Sequence, residues 1–577
     1  MELGLLGIIG IAVLVAVAVL SQRVRVAAPL LLVVVGIGLS FVPGVPSFSI
    51  PDEWILTGIL PPLLYAAAIK TPVMDFRRNF TPIASLSVAL VVVSAFAVGF
   101  VLHLLLPGLG LAAAIALGAV ISPPDAVAAT SIGRRLGLPP RLLTVLEGEG
   151  LVNDATALVL LRSAIAASAG ALAGFGAAAA DFAFAVVVAV VVGYAVGVVT
   201  VFVRSKLDDP VLDTAISFAV PFIAFIPAEE LGASGVLAVV VAGIYTGHRS
   251  ASHLDARARI SDNVNWRTVQ FLLENGVFLL IGLEVRSLLQ NIDESLLTVG
   301  QTVTIGLLAT LALIALRFLW VFPLVLLMRW LPSRAARRSL QLRRGLNRLK
   351  RLPTLDARQE RRKRALTRMY ARRQADLELE RREGFGWKGA TVLGWSGMRG
   401  VVTLAAAQSL PSSFAYREQL VLIAFTVAVT TLLVQGSTLP WLIRVLRIEG
   451  IDVGSDREES ATLFDELRTE GLRVLADPGS IIGEGVMVDQ DVLDRVRADT
   501  GMRSEFEWEK ARLPEKKLVR SPHRQYRDLR LAVLEAERAA LLAARASGTY
   551  SSRALARAQR ILDVEETRLR PHGGAAH

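Results

Sequence analysis

Long apolar runs, separated by short polar connections, fill the first 445 residues of the chain. Runs of about 17 residues or more are long enough to cross the hydrocarbon core of a bilayer as helices. They are apolar all round, which is typical of helices surrounded by lipid and protein. The pattern predicts about thirteen transmembrane helices, at residues 3–20, 27–43, 53–69, 82–105, 111–131, 142–167, 179–203, 211–227, 232–248, 269–284, 299–330, 389–409 and 418–444.

Two polar stretches lie outside these runs. Residues 331–388 form a strongly basic connection between the eleventh and twelfth predicted spans, and residues 446–577 carry charges of both signs. Apolar positions recur with helical spacing in the second stretch, for instance in residues 528–542. The expected fold is an all-α polytopic membrane protein with a transmembrane domain at 1–445, a basic loop at 331–388 and a helical tail at 446–577.

Composition supports the membrane assignment. Of the 577 residues, 53% are hydrophobic, too many for the polar surfaces that several soluble domains would need. The absence of cysteine excludes disulfides, cysteine-based metal sites and thiol nucleophiles. The six histidines are scattered along the chain, and we expect no cofactor.

The formal net charge of +11 is concentrated in one place. Residues 334–383 carry eighteen Lys and Arg against six Asp and Glu, a net of +12, so the rest of the chain is close to neutral. Such a loop fixes the orientation of a membrane protein and contacts anionic lipid headgroups. We therefore expect membrane lipid, and no nucleic acid, as its partner.

Basic residues also mark one side of the membrane. Alternate connections between the predicted spans hold nearly all of them, such as Arg23, Lys70 and Arg134. The intervening connections hold only Arg286 and Arg417. Because basic loops stay in the cytoplasm, we expect a cell-membrane protein with its N-terminus outside and its C-terminus cytoplasmic.

The fifth span contains a carboxylate at a predicted helix break. Pro123 and Pro124 lack the N–H groups that a helix needs, so the helix must unwind just before Asp125. Unwound backbone at membrane depth is tolerated only inside protein or beside a polar cavity. A carboxylate beside freed carbonyl oxygens suits a small cation.

The sixth span carries four further polar residues: Glu147, Glu149, Asn153 and Asp154. Acids inside a span are costly and are therefore candidates for function. One such acid is explained equally well by a structural ion pair or a helix cap. Two of them, Asp125 and Asp154 on consecutive spans, favour an ion site.

The twelfth span is interrupted as well, because four glycines surround Arg399 in residues 389–405. In the predicted topology this span runs opposite to the fifth. Broken helices of opposite orientation predict two inverted repeats, spans one to six and eight to thirteen, whose broken helices cross at mid-membrane.

Three motifs are distinctive: Ser122–Val127 (SPPDAV), Leu146–Asp154 (LEGEGLVND) and Gly397–Gly400 (GMRG). In order and spacing they resemble the motifs of the cation/proton antiporter-1 family, the sodium/proton exchangers. Pro61–Tyr65 (PPLLY) and Val434–Thr438 (VQGST) also look like landmarks of that family. The resemblance covers residues 1 to about 445 and is strongest to the prokaryotic branch.

The resemblance implies a role for each matching residue. Asp154 would bind the cation and protons in turn, Asp125 would shape the same site, and Asn153 would orient it. Asn153, in place of a second aspartate, is similar to the electroneutral, one-for-one exchangers. Glu149 and Arg399 would form a buried ion pair that ties the sixth span to the twelfth. The family also implies a homodimer.

Three positions differ from the family pattern. Pro124 and Gly150 stand where relatives commonly have Thr and Ser, so two hydroxyl ligands are missing. Ala66 stands where many prokaryotic relatives carry an acid. Ser122 or Thr156, with water or backbone carbonyls, would then complete the cation shell. The choice among Na⁺, Li⁺ and K⁺ stays open.

The expected function is secondary antiport and not enzymatic catalysis. A monovalent cation, Na⁺ first and Li⁺ or K⁺ as alternatives, would exchange for H⁺ at a buried carboxylate by alternating access. The same acids would also suit a cation channel with a regulatory tail. A third reading is an intramembrane serine protease, because Gly232–Gly235 (GASG) superficially fits its motif with Ser234 as nucleophile, although only His103 and His248 lie near spans as bases.

Overall fold

The computed structural model describes most of the chain. The described residues are 2–24, 26–43, 54–170, 175–207, 209–254, 256–290, 292, 296–330, 363, 366–367, 369–370, 386–448, 453–475, 489–512, 522–547, 561–562, 564–566 and 569. The predicted basic loop at 331–388 lies almost entirely outside them. Within the described residues, all regular elements are helices, and the chain divides into two units, residues 1–450 and 451–577.

The helices of the first unit are numbered here in chain order. They are α1 (Glu2–Val24), α2 (Ala28–Ser40), α3 (Leu60–Lys70), α4 (Val73–Arg78), α5 (Phe80–Ala84), α6 (Val91–Leu105), α7 (Leu111–Ile121), α8 (Ala126–Arg135), α9 (Pro140–Ser168), α10 (Phe175–Arg204), α11 (Pro210–Glu230), α12 (Gly235–His253), α13 (Ala256–Gln290), α14 (Val299–Trp330), α15 (Trp387–Trp395), α16 (Val401–Gln408) and α17 (Arg417–Leu446). The π-helical turn Trp54–Ile59 leads into α3, and a second one, Ser85–Leu90, joins α5 to α6.

The helical segments follow the predicted spans. In the described part of the chain, eight helical segments are long and apolar enough to cross a membrane, and shorter apolar ones lie at residues 7–21, 28–40 and 54–70. Each predicted span coincides with a helix or, for the fifth and twelfth, with two helices separated by a break. The all-α membrane fold is confirmed, whereas the total of thirteen crossings stays a prediction.

The helices of the first unit pack as two bundles. In the first bundle, α2 lies along α13, and α12 contacts α3, α10 and α11. In the second bundle, α7 contacts α6 and α9, and α14 packs on α15 and α17. Fewer contacts join the bundles, chiefly α9 with α12, α16 with α13 and α17 with α2. The two interrupted helices, α7–α8 and α15–α16, both belong to the second bundle.

A buried polar network fixes one end of the first bundle. Arg204 donates from Nε and Nη2 to the two carboxylate oxygens of Asp213, at 2.7 Å each, and its Nη2 lies 3.3 Å from Asp262 Oδ2. Ser217 donates to Asp262 Oδ1 and accepts from Trp266 Nε1, both at 2.8 Å. Because α10, α11 and α13 all contribute, the network holds α13 firmly in its bundle.

The second unit contains α18 (Val453–Val474), α19 (Gln490–Arg512) and α20 (Pro522–Ser547). Helices α18 and α19 pack on each other, and Ser504 donates to Asp465 at 3.2 Å. Arg530 of α20 pairs with Glu565, with 2.6 Å between Nη2 and Oε1. The helical pattern predicted for the tail is confirmed in these described segments.

Candidate cation site

The break between α7 and α8 lies where the sequence places it. Helix α7 ends at Ile121, residues 122–125 are non-helical, and α8 begins at Ala126. Asp125 caps α8, because its Oδ1 accepts from the backbone N–H of Val127 at 2.8 Å. The Asp125 carboxylate is therefore held at the helix N-terminus, where the backbone dipole favours a negative charge.

The second break crosses the first. Helix α15 ends at Trp395 and α16 begins at Val401, with five non-helical residues between them. The backbone N–H of Asp125 donates to the carbonyl of Met398 at 2.6 Å, so the two interrupted segments are hydrogen-bonded to each other. The predicted crossing of the broken helices is confirmed. Its depth in the membrane and the inverted-repeat relationship stay predictions.

Gly400 allows this crossing to be close. A Cβ atom built on Gly400 would lie 2.0 Å from Asp125 Oδ2, well inside van der Waals contact. No side chain fits there unless the Asp125 carboxylate moves. Glycine at position 400 thus lets a carboxylate lie directly against the backbone.

Arg399 satisfies carbonyls that the breaks leave free. Its Nε donates to Ile121 O at 3.0 Å and its Nη2 to Ser122 O at 3.3 Å, and its Nη1 donates to Gly397 O. Arg399 is only 3% exposed. The guanidinium therefore sits at the C-terminal end of α7, where it compensates unpaired carbonyls and the negative end of the helix dipole.

The expected ion pair between Glu149 and Arg399 is wrong. Glu149 is paired with Arg317 instead, with Nη1 2.5 Å from Oε1 and Nη2 2.9 Å from Oε2. Both side chains are almost fully buried, at 2% and 3% exposure. Arg317 on α14 offers the buried Glu149 carboxylate two N–H donors, whereas Arg399 donates to backbone carbonyls. The pair joins α9 to α14.

Asn153 and Asp154 play different parts on α9. Asn153 Nδ2 donates to Pro124 O at 2.6 Å and so holds the first break against α9. Asp154 lines a cavity and, among the described residues, its carboxylate accepts no hydrogen bond. Asp154 and Asp125 line the same cavity. The structure thus leaves one free carboxylate beside a second, helix-capping one.

The cavity that contains both carboxylates has a volume of about 370 Å³. This is room for several water molecules, or for a cation with part of its hydration shell. Thr403 of α16 and Thr130 of α8 add hydroxyl groups to the lining. Within the described residues, no three His, Asp or Glu side chains are grouped to hold a metal ion together. A bound cation would therefore need water, hydroxyl or backbone ligands beside the two aspartates.

One end of the cavity, called the open end here, is charged and solvent-exposed. Lys70, Arg134 and Glu147 line it, and Arg134 pairs with Glu147. The Arg134 side chain is 66% exposed. This end corresponds to the predicted cytoplasmic connections, which contain Lys70 and Arg134.

Two polar contacts join the bundles at residues that do not line the cavity, in a region called the closed end here. Arg162 of α9 pairs with Glu229 of α11, whose other oxygen accepts from Gly235 N at 2.8 Å. Gln408 of α16 donates to Glu284 of α13. Arg162 lies fifteen residues after Glu147 on α9, a rise of about 22 Å at 1.5 Å per residue. Both contacts must break if the bundles are to separate at this end.

Comparison with known families decides the assignment. The family described as "Sodium/hydrogen exchanger, transmembrane" matches residues 9–445. The chain belongs to the sodium/hydrogen exchanger family. It is therefore a multi-pass membrane protein.

Bacterial relatives extend the likeness. An uncharacterised Na⁺/H⁺ exchanger of Mycobacterium tuberculosis is 28% identical over 572 residues, which cover 96% of this chain and 93% of the relative. A sodium, potassium, lithium and rubidium/H⁺ antiporter of Bacillus pumilus is 29% identical over 435 residues, which cover 72% of this chain and 57% of the relative.

A solved structure shares the fold. The sodium/proton antiporter MjNhaP1 from Methanocaldococcus jannaschii superposes with a TM-score of 0.56 at 16% sequence identity. The match covers 78% of this chain and 99% of MjNhaP1. The likeness shows that the helical architecture is that of an exchanger.

Some predicted site residues do not reach the cavity. The Ser122 hydroxyl donates to Gly118 O at 2.6 Å and that of Thr156 to Val152 O at 3.2 Å, so each is bonded to its own helix. Neither residue lines the cavity. Gly150, where exchangers commonly have Ser, lies against Ala126, and a Cβ at 150 would be 2.7 Å from the Ala126 Cβ. The missing hydroxyl at Gly150 thus follows from close packing of α8 on α9.

Three cavity residues were missed by the sequence analysis. Glu274 and Gln270 of α13 line the cavity, and so does Lys70 at the end of α3. A signal was present, because Glu274 lies inside the tenth predicted span, where an ionisable residue is costly and therefore a candidate for function. Sequence alone does not tell which face of α13 meets the site.

Ser234 has a structural place in this exchanger. Its Oγ accepts from the backbone N–H of Leu237 at 3.3 Å, which makes it the N-cap of α12. Among the described residues, no histidine hydrogen-bonds to it. Without an activating base the hydroxyl is not a nucleophile, so the geometry gives no support to a protease.

Proposed function

We propose that this protein is a secondary antiporter that exchanges a monovalent cation, Na⁺ first and Li⁺ or K⁺ as alternatives, for H⁺. It is a transporter and not an enzyme. The observation that carries the proposal is the free Asp154 carboxylate beside Asp125, in a cavity at the crossing of two interrupted helices. The names of relatives such as the Bacillus pumilus antiporter agree with it.

Asp154 binds the cation and the proton alternately. Asp125 contributes the second carboxylate, and Asn153 holds the break in position through Pro124 O. Glu149 and Arg399 support the site without contacting the ion, since Glu149 is paired with Arg317 and Arg399 donates to backbone carbonyls. Asn153 in place of a second aspartate is similar to the electroneutral members of the family, which supports the exchange of one cation for one proton.

Coupling follows from the cost of moving an unpaired charge. A carboxylate that carries a cation or a proton is neutralised, and the occupied site can then change sides. An empty carboxylate is a buried, uncompensated charge, so the change of access from one side to the other costs more free energy when the site is empty. Exchange is therefore faster than net transport of either ion alone.

Alternating access uses the two bundles. The second bundle, with the interrupted helices and both aspartates, moves against the first. In this structure the cavity reaches the open end, while Arg162–Glu229 and Gln408–Glu284 join the bundles at the closed end. The basic residues at the open end support a cytoplasmic position for it, with the N-terminus outside and the C-terminus inside.

Membrane lipid and a second copy of the chain are the remaining partners. Exposed apolar side chains cover one face of α10, among them Phe184, Val187, Val191 and Phe202. Such a face contacts acyl chains or the same face of a second protomer. A homodimer in a lipid bilayer satisfies both. No nucleic acid and no cofactor take part.

The test is exchange by the purified protein in proteoliposomes that contain a pH-sensitive dye. Wild-type protein is expected to release H⁺ when Na⁺, Li⁺ or K⁺ is added on the opposite side. Asp154→Asn is expected to abolish that signal while the protein still folds and inserts. Exchange at the wild-type rate by Asp154→Asn would refute the proposed site.

A cation channel is the competing function for the same acids. A channel needs a path open on both sides, whereas here the cavity opens beside Lys70 and Arg134 and two contacts outside its lining join the bundles. Planar-bilayer recording separates the two functions. A steady cation current without proton movement would identify a channel, and an electroneutral exchanger gives none.

A further inference from the structure

The cavity holds a carboxylate that the proposed exchange cycle does not use. Glu274 belongs to α13 of the first bundle, whereas Asp125 and Asp154 belong to the second bundle. All three line the same cavity. Because α13 is held by the network around Asp262 and Trp266, Glu274 stays with the first bundle when the second one moves.

A chain of hydrogen bonds orients the Glu274 carboxylate. Gln270 Nε2 donates to Glu274 Oε1 at 2.6 Å, and Gln270 Oε1 accepts from Lys70 Nζ, also at 2.6 Å. The side-chain amide of Gln270 is thus held between the Lys70 ammonium group and the Glu274 carboxylate. Among the described residues, Oε2 of Glu274 accepts no hydrogen bond, so this oxygen remains available to a ligand in the cavity.

Glu274 is not a third ligand of the ion at Asp154 in this conformation. In the described part of the chain, no three acidic or histidine side chains are grouped closely enough to hold one ion. A cation that comes from the open end must nevertheless pass the charges of Lys70 and Arg134. Arg134 is compensated by Glu147, and the carboxylate nearest to Lys70 along the hydrogen-bond chain is Glu274.

We propose that Glu274 is a second cation-binding carboxylate, which the entering cation contacts before it reaches Asp154. It compensates Lys70, and its free oxygen replaces part of the water shell of the cation. This role deepens the proposed antiport function and rests on it. Because Glu274 is on the first bundle, it serves loading from the open end and takes no part in the movement of the occupied site.

The role predicts a specific kinetic signature. Glu274→Gln keeps the side-chain shape but removes the charge, so the KM for the cation at the open end should rise at least about fivefold while kcat is unchanged. Lys70→Gln removes the opposing charge and should lower that KM. The double variant Lys70→Gln/Glu274→Gln should return it towards the wild-type value. A purely structural role for Glu274 predicts no opposite effect of Lys70.

The experiment uses full-length protein in oriented proteoliposomes, with Na⁺, Li⁺ and K⁺ titrated separately on the open side. Glu418→Gln is the matched control, because Glu418 is an exposed glutamate at the start of α17 that does not line the cavity. A thermal melt checks that every variant is folded. If Glu274→Gln fails to fold, Glu274→Asp and Lys70→Gln carry the test, with KM expected to rise in the first and fall in the second.

Two results, in a wild-type protein that exchanges ions, would overturn this role of Glu274. One is a KM of Glu274→Gln within twofold of the wild-type KM, and the other is a Lys70→Gln variant whose KM is not lowered. Failure of the proposed function looks different. In that case wild-type protein shows no cation-dependent proton release, or Asp154→Asn retains it.

Discussion

Arg317 and Glu149 form a bidentate ion pair in the interior of the second bundle, with N–O distances of 2.5 and 2.9 Å. Arg317 also donates from Nε to Leu393 O at 2.9 Å, so it joins α9 and α14 to α15, which leads into the second break. The pair therefore fixes α9, which bears Asp154, relative to α15, which precedes the break that contains Arg399. Loss of this ion pair should lower the stability of the protein more than it changes cation binding.

Removal of one partner leaves a buried, uncompensated charge. Arg317→Ala is expected to destabilise the protein by about 3–5 kcal/mol, whereas Glu149→Gln/Arg317→Met should recover much of that loss. The measurement is thermal unfolding of the purified protein in detergent. Glu149→Gln combined with Arg399→Met serves as the comparison. If that combination is rescued and the Arg317 combination is not, the assignment of the ion pair is wrong.

Gly400 is expected to be essential for exchange. In Gly400→Ala the new Cβ would collide with Asp125 Oδ2, at 2.0 Å in the present geometry, so the carboxylate must leave its position on α8. We expect loss of most exchange activity with a normal amount of folded protein. Gly38→Ala, on α2, is the control, since a Cβ there meets nothing within 4 Å. Wild-type exchange by Gly400→Ala would show that Asp125 need not occupy this position.

Joining the bundles at the closed end should arrest the cycle. The chain has no cysteine, so Arg162→Cys/Glu229→Cys introduces the only two thiols. A short, reducible bis-thiosulfonate linker between them should stop exchange, and reduction should restore it. Each single variant treated with the same reagent is the control. Full exchange by the linked protein would mean that these helices do not separate during transport.

Protons should compete with the cation at Asp154. As pH falls, a larger fraction of the carboxylate is protonated, so the KM for Na⁺ should rise, by at most about tenfold per pH unit for one proton at one site. The kcat at saturating Na⁺ should not fall with it. Initial rates in proteoliposomes at several pH values measure both. A falling kcat with constant KM would point to a protonation step outside the cation site.

Electroneutral exchange should be insensitive to membrane potential. One uncompensated charge would gain about 2.3 kcal/mol per 100 mV, enough to change rates severalfold. Na⁺/H⁺ exchange measured with and without an imposed potential is therefore expected to proceed at the same rate. A clear acceleration by potential would indicate unequal numbers of cations and protons.

The helices and both interruptions could be predicted from the sequence, because they depend on local properties. Hydrophobic length defines a span, and Pro123 and Pro124 remove N–H groups from α7 whatever surrounds them. The choice of Asp125 and Asp154 as candidates also followed from local context, since an acid in an apolar run is costly anywhere. The same rule applied to Glu274 would have added it to the candidates.

Tertiary structure decided which groups meet. The sequence offers two buried arginines as partners for Glu149. The packing of α14 on α15 brings Arg317 to it. Arg399 instead donates to carbonyl oxygens at the helix breaks. Helix rotation turned Glu274 into the cavity. The hydroxyls of Ser122 and Thr156, by contrast, make local bonds to carbonyls four residues earlier. Local sequence determined which segments form apolar helices and where two of them are interrupted, because helix propensity and hydrophobicity act within a few residues. Partners and exposed faces were decided by contacts between helices far apart in sequence.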